Sequence, residues 1–130
     1  PMARDEVLDI LRGFMADEGR SILMATHITT DLEKIADVVA CIDDGRILFA
    51  LPKEAICDEA AIAHLRAAEV EALVAAELPD RDGFRVVRRP MGTDVLMPDR
   101  AAFARAFPAI AVERATIEGY MTMTIKGESL

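Results

Sequence analysis

Tryptophan is missing from this sequence, tyrosine occurs once, and 130 residues hold only two cysteines and two histidines. Cys41 sits in an apolar strand pattern and Cys57 in a helical one, with no CxxC spacing. Neither a disulfide framework nor a metal site is indicated, and free thiols in a reducing cytosol fit the pattern. Cations are outnumbered: 15 Lys and Arg stand against 23 Asp and Glu, a net charge of −8, and the densest basic group is Arg85, Arg88 and Arg89. Binding to nucleic-acid phosphates needs clustered cations, so no nucleic-acid partner is expected. No apolar run reaches the roughly 18 to 20 residues that cross a bilayer, and Pro1 to Glu6 has no signal-peptide shape, so any membrane link has to come through a partner. Also lacking is a phosphate loop of the form GxxxxGK followed by Ser or Thr.

What remains is a globular balance, 52% apolar and 29% charged, in a length that suits one domain or two small lobes. Val7, Leu8, Leu11, Phe14 and Met15 recur at helical spacing opposite Asp5, Glu6, Asp9, Arg12 and Asp17, which predicts an amphipathic helix closed by Gly19. Ile22-Leu23-Met24-Ala25 is apolar without alternation, the pattern of a strand covered on both sides. Thr30 with Glu33 reads as a capping box for a short helix with Leu32, Ile35 and Ala36 inward. A strand at Val38–Ile42 then meets Ile47–Ala50 across Asp44-Gly45, a hairpin signal, and Pro52 opens a further helix.

The character of the chain changes near residue 60, which divides it into 1–59 and 60–130. The second part reads as a strand at 62–66, a helix over 69–78, strands at 84–88 and 93–97 joined across Pro90-Met91-Gly92, a helix capped by Asp99, a strand at 110–112 and a helix capped by Thr116. That order points to a small α+β lobe of ferredoxin-like type.

His27 follows the apolar run 22–25 directly and precedes the short helix, an address at the carboxyl end of a strand where open α/β sheets bind ligands. Met24-Ala25-Thr26-His27, Leu32-Glu33-Lys34-Ile35-Ala36-Asp37 and Asp44-Gly45-Arg46-Ile47 occur in the order of the region after the Walker B motif in ATP-binding cassette (ABC) ATPases. Over about its first 55 residues the chain resembles that family. The resemblance implies an α/β fold: the C-terminal part of a mixed P-loop NTPase-type sheet with a terminal hairpin, followed by the ferredoxin-like lobe. It implies that His27 is the switch histidine, touching the γ-phosphate of ATP, and that Pro1 and Met2 are the tail of a D-loop at the interface with a second ATP-binding subunit. The parent then uses ATP and Mg²⁺, pairs with a transmembrane permease subunit, and works at the inner face of the cell membrane. P-loop, signature motif and Walker B are expected upstream of Pro1, so these 130 residues alone are expected to bind no cofactor and hydrolyse no ATP. The strand over 21–26 is expected to expose an edge and drive the piece into a homo-oligomer. Residues 60–130 take a regulatory or dimerisation role, or, as an alternative, form a self-standing module for a small ligand or self-association without enzymatic activity.

Other polar residues read as structural. Asp43 and Asp44 flank a turn, His64 has no acidic or thiol partner at ligand spacing, and Met91, Met97, Met121 and Met123 read as core filler.

Overall fold

The structure is a computed structural model that describes residues 2–130, which form two sheets with helices against them. Helix α1 (Met2–Met15) buries Leu8 and half-buries Leu11 and Met15, but Val7 and Phe14, expected inward, are exposed together with Ile10. Its main neighbour is the seven-residue helix α2 (Thr29–Ile35), which is too small to cover a full apolar stripe.

The segment 20–28 corrects the expected strand at 22–25, because it is neither helix nor strand and no described strand pairs with it. Without a ladder to take its N–H and C=O groups the apolar run packs by one side only: Ile22 and Met24 are half-buried while Leu23 projects fully into solvent. Helix α2 lacks the capping box expected from Thr30 and Glu33. Ile28 stands at its N-cap with no side-chain bond, so the helix starts two residues early and Glu33 is left for another partner.

Strands β1 (Val38–Asp43) and β2 (Arg46–Pro52) form the hairpin that Asp-Gly signals, with Asp44 at φ 50° and Gly45 at φ 74°. Pro52 ends this strand opposite Val38, where an edge position tolerates its missing N–H, and helical residues follow it from Lys53 as expected. A single π-turn (Ala55–Glu59) follows and places Ile56 wholly inside.

The second sheet has the order β6-β3-β5-β4-β7, antiparallel throughout. Its elements are β3 (Ala61–Leu65), α3 (Ala67–Ala75), β4 (Arg85–Arg89), β5 (Gly92–Met97), α4 (Arg100–Ala106), β6 (Glu113–Arg114), α5 (Ile117–Lys126) and β7 (Glu128–Ser129). The expected strand at 110–112 is absent, and the chain pairs only at Glu113 and Arg114, against Ile62 and Ala61. Asp99 and Thr116 cap as their positions predict, accepting from the amides of Ala102 and Gly119 at 3.0 Å each.

Alternate residues of the sheet feed two cores. Ala63, Leu65, Val86, Val95 and Met97 meet Leu73 of α3 and Phe103 of α4 on one face. Ile62, Val87 and Leu96 meet Tyr120 and Met123 of α5 on the other. Helix α5 also reaches the hairpin: Ile117 packs with Val39 and Ile56, and the Tyr120 ring stands edge-on to Phe49 at 4.9 Å between centroids.

The far end of α5 is held by Arg85, whose guanidinium donates to the carbonyl oxygens of Thr124 and Gly127. Those are carbonyls that a helix end leaves without partners. A Cβ at Gly127 would collide with the Met123 carbonyl and press on Arg85. Gly127→Ala is therefore expected to lower stability by about 1–3 kcal/mol in urea unfolding; an unchanged midpoint would show that this corner yields freely.

Candidate functional site

His27 lies in the bend between the extended segment and α2, exposed to solvent. Its two neighbours are fixed to the helix. The Thr26 hydroxyl accepts from the Ile28 amide at 3.0 Å, and the Ile28 carbonyl accepts from the Asp31 amide at 3.2 Å. The imidazole itself makes no hydrogen bond or ion pair with the described residues, so both ring nitrogens are available to an external group.

Helix α2 is held from three directions. From α1, Arg4 stands 3.5 Å from the buried Asp31, Asp5 bonds Lys34 at 3.1 Å, and Arg12 donates to the Lys34 carbonyl at 3.2 Å. The bond from Lys34 is the main reason the Asp5 carboxyl is held below the usual carboxylate range. From the end of the hairpin, Lys53 Nζ donates to the Glu33 carbonyl at 3.0 Å. From the far lobe, the amide of Ile117 donates to Glu33 Oε1 at 3.0 Å. Met2, assigned by resemblance to a subunit interface, is exposed at the start of α1, and Pro1 lies outside the described residues. Asp43 and Asp44 are exposed at the hairpin turn.

A second polar cluster gives His64, which has no acidic partner at ligand spacing, one from across the sheet. His64 and Asp94 are cross-strand partners on β3 and β5; the His64 Nδ1–H donates to Asp94 Oδ1, and Arg89 Nε donates to Asp94 Oδ2. Thirty residues separate the pair, so only strand register brings it together, and register is not written in spacing. Met97 and Met123 are core residues as expected, whereas Met91 is 97% exposed at the β4–β5 turn, where no layer covers it.

Burial of Asp94 works against its charge, but the bonds and charges of Arg89 and His64 outweigh it and hold the carboxyl below the usual range. Burial likewise raises Tyr120, Cys57 and Cys41, with Asp43 adding to the last. A depressed carboxyl stabilises the fold above its unfolded pKa of about 4, and that stability is lost as pH falls through the lower folded value. Asp94→Asn is expected to flatten the acid side of the stability–pH curve measured by urea unfolding between pH 6 and 3; curves of equal slope would remove Asp94 from the acid response.

Surface depressions lined by 74–79 with Arg81, and by Asp58, Glu59 and 98–101, do not include His27. Among the described residues no three His, Cys, Asp or Glu side chains converge as a metal site, and no helix is long and apolar enough to cross a membrane.

Sequence comparison gives a partial relationship. Over 61 residues, 46% of this chain, it is 34% identical to the thiamine import ATP-binding protein ThiQ of Jannaschia sp. (strain CCS1). The chain spans only 27% of that protein's length. No protein-family model matches, and no solved structure matches. Less than half of this mixed α/β chain is thus similar to an ABC-type ATP-binding protein.

Proposed function

We propose that the chain is the C-terminal portion of an ABC-type ATP-binding subunit, with 1–59 belonging to the nucleotide-binding domain and 60–130 forming an accessory lobe. The observation that carries this reading is His27: an exposed imidazole with no partner among the described residues, in the Thr-His bend between an apolar segment and a short helix, in a chain partly similar to a thiamine import ATP-binding protein. The Asp44-Gly45 hairpin at its expected place supports the same motif order.

An imidazole of this kind fits the contact with the terminal phosphate of ATP, since one ring N–H can donate to an anionic oxygen while the bend fixes its direction. The Thr26 and Ile28 bonds set the main chain on both sides of His27, so the ring is aimed by the first turn of α2. The lysine, magnesium ligands and base that phosphoryl transfer also requires belong to the rest of such a subunit, where bound ATP and Mg²⁺ supply the reacting phosphoryl group and its charge neutralisation. His27 contributes positioning and charge stabilisation.

In this reading the outward Val7, Ile10, Phe14 and Leu23 meet the remaining strands and helices of the nucleotide-binding domain, and they drive homo-oligomers when 1–130 stands alone. Met2 with Pro1 faces a second ATP-binding subunit, and the pair works at the inner face of the cell membrane on a permease. The accessory lobe regulates or dimerises the subunit. A second reading, in which 60–130 is a ferredoxin-like module for a small ligand or self-association, draws support from the strand order β6-β3-β5-β4 with α3 and α4 on one face.

His27→Ala in the full-length subunit is expected to lower ATP hydrolysis by about 10²-fold or more with nucleotide binding kept. Hydrolysis at the parent rate would make His27 a structural residue and shift the weight to the module reading.

A further inference from the structure

We propose that Glu33 is a positioning residue for His27, tying the histidine's helix to the accessory lobe; this rests on His27 being the phosphate-facing histidine. At the third residue after Thr30 a glutamate ordinarily serves its own helix by turning back to the N-cap. Here the N-cap Ile28 receives no such bond, and Glu33 Oε1 instead accepts from the amide of Ile117, 84 residues further on.

The acceptor meets the first turn of α5, where N–H groups lack partners within the helix. Thr116 Oγ1 takes the Gly119 amide at 3.0 Å and Glu33 takes the Ile117 amide at the same distance, so α5 begins with one cap from its own chain segment and one from α2. The residue is gripped on its other side too, because Lys53 Nζ donates to its carbonyl oxygen. From Glu33 the connection runs back two residues along α2 to the Asp31 amide, which bonds the Ile28 carbonyl, and through the Ile28 amide to Thr26 Oγ1. His27 lies between the last two residues. A contiguous set of hydrogen bonds and packed side chains of this sort can carry a displacement between sites. Beside it, Ile117 is 1% exposed against Val39 and Ile56, so a shift of α5 moves the apolar contact and the hydrogen bond together.

Anything that moves α5 on its sheet therefore re-aims His27, which gives the accessory lobe a mechanical route to the histidine. The bond makes no use of ATP, so it is testable on 1–130 alone, apart from the hydrolysis assay that tests His27 itself.

The experiment compares ¹⁵N-labelled wild-type chain with Glu33→Ala, Glu33→Asp and Glu33→Gln by NMR, reading amide hydrogen exchange at Ile117, Ile28 and Asp31 and the imidazole signals of His27. In Glu33→Ala, exchange at all three amides is expected to rise by about tenfold, and the His27 signals to shift. Glu33→Gln keeps an acceptor oxygen of the same reach and is expected to restore both; Glu33→Asp, one methylene short, is expected to behave like the alanine variant. Should Glu33→Ala not fold, the Asp and Gln pair gives the same contrast. Faster exchange at Ile117 with Ile28, Asp31 and His27 unmoved would overturn the proposal, as would no change at Ile117 in either Ala or Asp.

Discussion

The arrangement depends on how a seven-residue helix is kept in place. Alone in water a helix of α2's length does not persist, since the cost of nucleation is spread over too few hydrogen bonds. No side chain caps its start. Its order is supplied from outside by α1, by Lys53 at the end of the hairpin and by α5. These ties are not equal in strength. Lys34–Asp5 is an exposed pair, screened by solvent and weakened further by salt. The half-buried Glu33 carboxylate on the Ile117 amide belongs to the class of bonds to charged groups, about 1.5–3 kcal/mol.

Helix α5 is the other half of that relation. One end packs Ile117 into the hairpin cluster, its middle lays Tyr120 across both clusters, and its last turn is clamped by Arg85 over Gly127, which admits no side chain. Because the same helix covers a face of the five-stranded sheet, the hairpin and the sheet share apolar contacts through it. The bend carrying His27 sits at the thin end of this chain of contacts, exposed to solvent.

Much of this is legible in the sequence where the signal is local. Asp44-Gly45 announces its turn because positive φ demands such residues, and Asp99 and Thr116 announce helix starts because their oxygens meet amides three residues on. The strands 61–65, 85–89 and 92–97 follow from alternation. Reading fails where the outcome is decided at a distance. Ile22–Ala25 has strand composition but no described strand beside it, Glu33 fits a capping box but finds Ile117, and His64 meets Asp94 only through cross-strand register. Met91 illustrates the converse, an apolar residue whose exposure follows from a turn and not from its chemistry. His27 itself stands out by motif order; the bonds that tie its neighbours Thr26 and Ile28 are not revealed by spacing.

The central claim is that α2 takes its order from α5. Native-state hydrogen exchange against denaturant measures it most directly, by comparing opening free energies for the α2 amides and for the first turn of α5. The account predicts that the two open together as one cooperative unit. Free opening of α2 near zero cost, while the α5 amides stay protected, would contradict it.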